Sequence, residues 1–98
     1  MVYDLVISIR AEQDTKHAIY YYDQVNPKLG ERFFIELLEA YQKISETPQY
    51  YSFISTNRKT KIRDIKLPSF PYVVIFRVVK SAVYVIAVKN TYLKPFIS

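Results

Sequence analysis

The apolar positions of this chain change period along its length. Tyr3 to Ser8 is a short run rich in apolar and β-branched residues and reads as a strand. Ala11, Ala18, Tyr21, Tyr22 and Val25 then recur on one side at helical spacing. Ser8 stands where its hydroxyl would accept from a free amide of the first turn. Glu12 and Asp14 oppose the positive end of the helix dipole. Asn26-Pro27 breaks this pattern and starts another. Asn is a favoured cap, and proline suits the first helical position because that amide has no intrahelical partner. The second helix is predicted from Lys28 to Ser45, with an apolar stripe of Phe33, Phe34, Leu37, Leu38, Tyr41 and Ile44. Glu31, Glu36, Glu39 and Lys43 fall on its polar side. Pro48 ends it, since a residue before proline is pushed out of helical angles. Gly30, the only glycine, predicts a close approach of two helices in an αα-hairpin. The Tyr20-Tyr21-Tyr22 run is expected mainly in the core.

Residues 49–61 are polar and irregular in pattern. From Ile62 the signal turns to strand. Ile62–Leu67, Tyr72–Val79 and Ala82–Val88 are separated by Pro68-Ser69-Phe70-Pro71 and by a tight Lys80-Ser81 connection. The last two are apolar on both faces apart from Arg77, which predicts central strands covered on both sides. The order β-α-α-β-β-β predicts an α+β fold. The N-terminal strand and helical hairpin pack on a mostly antiparallel four-stranded sheet, in a single domain over residues 1–98.

Composition narrows the picture. Half of the 98 residues are apolar, with ten Tyr and six Phe, enough for one compact core with a thin margin of stability. The absence of cysteine excludes disulfides and thiolate metal sites and fits a reduced cytoplasm. Met1-Val2-Tyr3-Asp4 lacks the basic and apolar regions of a signal peptide. The longest apolar runs, such as Ala82–Val88, fall well short of the roughly 20 residues that a membrane span needs. A soluble cytoplasmic protein with no membrane partner is expected. The net charge of +5 is uneven: residues 1–57 carry five Lys/Arg against eight acids, and residues 58–98 carry nine against one, Asp64. Such a basic half suits a polyanion or an acidic protein partner, or simply a solvated face.

The order of elements and certain residues together resemble the RelE/ParE toxin family, over nearly the whole chain. The marks are Ala11-Glu12 and Asp14 after the first strand, Tyr21-Tyr22, and Pro27 with Leu29-Gly30-Glu31-Arg32-Phe33 opening the second helix. Arg63 to Leu67, then Phe70-Pro71-Tyr72 through Phe76-Arg77-Val78, complete the set. The helical hairpin is closer to the ParE branch. The resemblance implies the toxin half of a type II toxin–antitoxin pair, silenced by a cognate antitoxin in a hetero-oligomer. ParE-like members poison DNA gyrase without catalytic residues. RelE-like members cut messenger RNA on the ribosome, and an inactive relative would only bind an antitoxin-like partner. Many members place a His and then an Arg after the last strand. Here Lys89 to Pro95 has no His, and Lys94 replaces the Arg.

Under the RelE-like reading, the catalytic candidates are Arg63, Lys66, Lys89 and Tyr92. Cleavage through a 2′-hydroxyl needs a base, cations on the crowded phosphate and an acid for the leaving oxygen. Lys66 and Lys89 also read as strand-end lysines, and Tyr92 as a packing residue. Arg77, Lys94 and Phe96 are candidate partner-binding residues; Arg77 alternatively pairs with Asp64 or a helix carboxylate. His17, the only histidine, is expected on the surface and cannot build a His-pair nuclease. No metal site and no cofactor is expected, since no metal-ligand cluster, Gly-rich phosphate loop or nucleophile elbow is present.

Overall fold

A computed structural model describes residues 2–54 and 61–92. Strand β1 (Asp4–Ile7) leads into helix α1 (Ile9–Val25) and helix α2 (Pro27–Glu46). A short 3₁₀ turn (Pro48–Tyr50) follows, then strands β2 (Ile62–Lys66), β3 (Tyr72–Val79) and β4 (Ala82–Asn90). The sheet order is β1-β4-β3-β2. β2–β3 and β3–β4 are antiparallel, while β1 lies parallel to β4 with Ile7 opposite Val85. This is the α+β arrangement expected from the sequence.

The local signals act where they were read. Ser8 Oγ accepts the Ala11 N–H at 3.0 Å and caps α1. Asn26 Oδ1 accepts the Lys28 N–H at 2.9 Å, with Pro27 in the first turn of α2. Gly30 lets the helices close: a Cβ there would overlap the Asp23 carboxylate and meet the Ile19 carbonyl at 3.3 Å. In the Lys80-Ser81 connection, Lys80 takes the left-handed conformation at φ 55°.

The helices cover one face of the sheet. Phe33, Leu37 and Ile44 of α2 and Ala11 and Ala18 of α1 meet Val74, Phe76, Val83, Val85 and Val88. Tyr22, Phe33, Phe70 and Tyr72 stack and edge against one another, with Tyr22–Phe70 centroids at 4.8 Å and Phe33–Tyr72 at 5.0 Å. These rings tie both helices to the turn before β3. On the opposite face, Ile62, Val73, Ile75 and Ala87 form a second buried patch, joined by Ile54 and Ile86. The central strands are therefore covered on both sides at the β3 start. Further along, Arg77, Val79 and Tyr84 are exposed.

Three expectations change. Of the tyrosine run only Tyr22 packs inward; Tyr20, Tyr21 and also Val25 are exposed, because α1 meets the sheet through its small residues Ala11 and Ala18. On α2, Phe34 and Leu38 are half-exposed. Glu36, expected on the polar side, is buried. Its Oε1 accepts the Ser69 N–H at 3.0 Å, and Arg32 Nε reaches its Oε2 at 3.4 Å. A carboxylate thus takes the core-facing place because the turn before β3 leaves an amide to be satisfied.

β4 carries a bulge. Ile75 is opposite Ala87 but Phe76 is opposite Val85, so Ile86 is the extra residue. Ser8 fits against it. Its N–H donates to the Val85 carbonyl at 3.0 Å and its hydroxyl to the Ile86 carbonyl at 2.8 Å.

Two predictions follow from these junctions. Ser8→Ala removes a helix cap and the partner of a bulge carbonyl together, and is expected to destabilise by about 1–2 kcal/mol in urea denaturation. Burial tends to raise the Glu36 pKa, but its hydrogen bonds with Ser69 and the Arg32 guanidinium outweigh this and hold it below the usual carboxylate range. A depressed folded pKa gives stability that is present above the unfolded carboxylate range and lost as pH falls through the folded value. Glu36→Ala should therefore lower stability by roughly 1–3 kcal/mol at neutral pH. It should also flatten the acid limb of the stability–pH curve.

Candidate functional site

The sheet pairing sorts the candidate residues by face. Residues opposite one another in register share a face. On the face away from the helices one row runs Lys66, Val73, Lys89, the next Asp64, Ile75, Ala87, and a third Ile62, Arg77, Tyr84, Val6. Lys66 and Lys89 flank Val73 from its two neighbouring strands, which sets their backbones about 10 Å apart. Burial raises the Asp64 pKa, and Lys66 pulls it partly back. Arg77 is exposed and has no ion pair among the described residues, with Asp64 or with a helix acid.

Arg63 lies on the other face, opposite Phe76. Its Nη1 donates to the Tyr51 carbonyl at 2.6 Å and to the Gln49 carbonyl at 3.4 Å. Its guanidinium sits 4.0 Å over the Phe53 ring. It binds the segment after α2 onto β2. The four catalytic candidates are thus not brought together: Lys66 and Lys89 share a row, and Arg63 is turned away from them. Tyr92 follows β4 and is exposed, with its N–H donating to Asn90 Oδ1 at 2.8 Å. Lys94 and Phe96 lie outside the described residues.

Two concave features flank α1. The first is a slot of ≈ 290 Å³ between α1 and the end of β4, lined by Asp14, His17 and Tyr21 and by Tyr72, Lys89 and Asn90. Asp14 Oδ2 accepts the Val88 N–H at 3.0 Å and lies 4.0 Å from Arg10. Burial raises the Tyr72 pKa there, against a hydrogen bond with Asn90. Sequence periodicity places Asp14 and His17 on α1 but carries no sign that β4 passes beside them. The second is a groove of ≈ 350 Å³ between α1 and α2, with Ile7, Ile19, Phe34 and Leu37 as apolar walls and Glu12 and Lys16 among its lining residues. Tyr41 lines it, with its hydroxyl buried and its pKa pushed up to about 12 by burial. Phe34, Ile35 and Leu38 extend this apolar surface along α2. Among the described residues no group of acids and histidines is placed to hold a metal ion.

The family model of the ParE toxin of type II toxin–antitoxin systems matches residues 5–91. The chain belongs to the ParE toxin family. A solved chain from the chromosomal ParDE toxin–antitoxin system of P. aeruginosa superposes with a TM-score of 0.77, covering 91% of this chain and 96% of that one. At 13% identity that likeness shows the fold. No curated protein matches the sequence. Among the described residues, no helix of this ParE-family toxin is long and apolar enough to cross a membrane.

If Arg63 is a structural tie, Arg63→Ala should lower stability by about 1–3 kcal/mol through two lost charge-assisted hydrogen bonds and the Phe53 stack. Arg63→Lys should restore little, because an ammonium lacks the planar fork. Denaturation midpoints measured beside toxicity check this. Full stability with abolished toxicity would assign Arg63 to the target instead.

Proposed function

We propose that this toxin arrests growth in the cytoplasm by binding DNA gyrase, and that a cognate antitoxin holds it silent in a hetero-oligomer. The observation that carries the reading is the division of the cations between two sheet faces. Cleavage needs charged groups converging on one phosphate. Arg63 is engaged with backbone carbonyls on the helix face, while Lys66 and Lys89 lie on the other. Inhibition by binding asks for no such convergence, only for an interface with a few anchors. Arg77, Lys94 and Phe96 are the residues assigned to that interface.

The antitoxin is assigned to the opposite side of the molecule. The groove between α1 and α2, continued by half-exposed Phe34, Ile35 and Leu38, suits the apolar face of a partner helix. The rest of the antitoxin segment would carry acids toward the basic C-terminal half, and charge steering would make its association slow with rising salt.

One observation favours the ribonuclease reading: Lys66 and Lys89 share a row, and Tyr92 follows close behind on the chain. Brief induction followed by parallel plasmid-topology and transcript mapping separates the two. The gyrase reading expects altered supercoiling with intact transcripts, and only a modest drop in toxicity for Lys66→Ala. Transcripts cut within translated codons, with supercoiling intact, would reverse the assignment. In that case Lys66→Ala should lower cleavage on the order of a hundredfold.

A further inference from the structure

We infer that the open end of the sheet, where Val6, Tyr84 and Val79 lie between Asp4 and Arg77, is a self-complementary surface through which the toxin pairs weakly with a second copy of itself.

The surface follows from the strand register. Both helices cover one face of the sheet. On the other face, the buried patch of Ile62, Val73, Ile75 and Ala87 reaches only to the middle of β3. Beyond it, six positions form a grid on three neighbouring strands: Asp4 and Val6 on β1, Ala82 and Tyr84 on β4, and Val79 and Arg77 on β3. An uncovered face of an antiparallel sheet ordinarily carries the polar residues of the alternation. Here Val6, Tyr84 and Val79 are 43%, 42% and 39% exposed. Exposed apolar residues scattered singly are ordinary, but these three occupy adjoining places of one grid and form a patch.

The charges decide the occupant. Asp4 and Arg77 are exposed, and neither has an ion pair among the described residues. They stand at opposite corners of the grid, two strand spacings and two residues apart, which sets their backbones about 12 Å from each other. Val6 and Val79 hold the other two corners. A two-fold contact uses one patch on both protomers, so that each residue meets the partner of its counterpart. A two-fold axis running roughly along the Val6–Val79 diagonal lays two such faces together. Arg77 of one protomer then lies over Asp4 of its partner, and the reverse contact repeats on the other side of the axis. The valines and Tyr84 close together between these two charge pairs. A polyanion would meet like charge at Asp4, and a basic surface would meet it at Arg77, whereas a second copy satisfies both.

The grid measures about 10 Å by 7 Å between backbone positions. Even with its side chains it falls well short of the roughly 800 Å² per partner that a standard stable interface buries. The pair is therefore weak, forming at micromolar concentrations or above. It covers Arg77, the cation assigned above to the target interface, so pairing and target binding compete for one surface. The pairing itself does not depend on which target is bound.

The test is sedimentation of the full-length toxin over a range of concentrations, with two charge-reversal variants. The wild-type toxin should pass from monomer to dimer. Arg77→Asp and Asp4→Arg should each weaken the pair on the order of tenfold or more through like-charge juxtaposition, with the thermal midpoint unchanged because both side chains are exposed. The first variant lowers the net charge of +5 by two and the second raises it by two, so a loss in both cannot come from net charge. An equimolar mixture of the two variants should pair as tightly as the wild type, since each supplies the charge that the other lacks. That rescue also shows that both variants are folded. Tyr84→Ser should weaken the wild-type pair. A toxin that stays monomeric at several hundred micromolar overturns the inference. A dimer indifferent to both reversals, or strengthened by one of them, lies on another surface and overturns it as well. So does a mixture that fails to pair, for the crossing of Arg77 with Asp4 requires it.

Discussion

Ser8 is the junction on which the layout of this molecule depends. One residue ends the parallel strand, caps the first helix and engages both carbonyls at the β4 bulge. Its N–H and hydroxyl donate to Val85 and Ile86, and its Oγ accepts from Ala11. The bulge makes the arrangement possible, because the extra residue Ile86 turns a carbonyl out of the ladder toward the start of α1. The direction in which the hairpin leaves the sheet follows from this contact. The reach of Asp14 to Val88, less than two turns further along the helix, follows as well.

That direction decides what is left uncovered. α1 approaches the sheet through alanines, which brings its backbone close and admits only Tyr22 among the larger residues of its stripe. Tyr20, Tyr21 and Val25 consequently face solvent. α2 contributes the bulk of the core through Phe33, Leu37 and Ile44 and presents Phe34, Ile35 and Leu38 outward. A chain of this size has more apolar residues than one small core can hold. Part of the surplus, Phe34, Ile35 and Leu38, lies together on α2 beside one groove, a local patch of the kind that meets a partner.

The two buried or half-buried carboxylates that hold the frame do so at strand and turn amides without a ladder partner. Glu36 meets Ser69, and Asp14 meets Val88. Both look like ordinary helix-surface acids by position. Their roles come from the obligation to satisfy backbone amides beside a packed core. Arg63 is the reverse case. Its place among basic residues suggests a role toward a phosphate, yet two carbonyls and an aromatic ring engage it within the molecule.

The order of elements, both helix caps, the helix stop at Pro48 and the close approach at Gly30 were legible in the sequence. Each rests on interactions between residues a few positions apart, and those leave a periodic or compositional mark. The parallel pairing of β1 with β4, the bulge at Ile86 and the division of Arg63 from Lys66 and Lys89 were not. They depend on register between strands far apart in the chain. A shift of one residue in a strand sends every side chain to the other face and leaves the local pattern unchanged. The slot beside Val88–Asn90 is the furthest from the sequence, for it exists only because two strands of different length lie side by side under one helix.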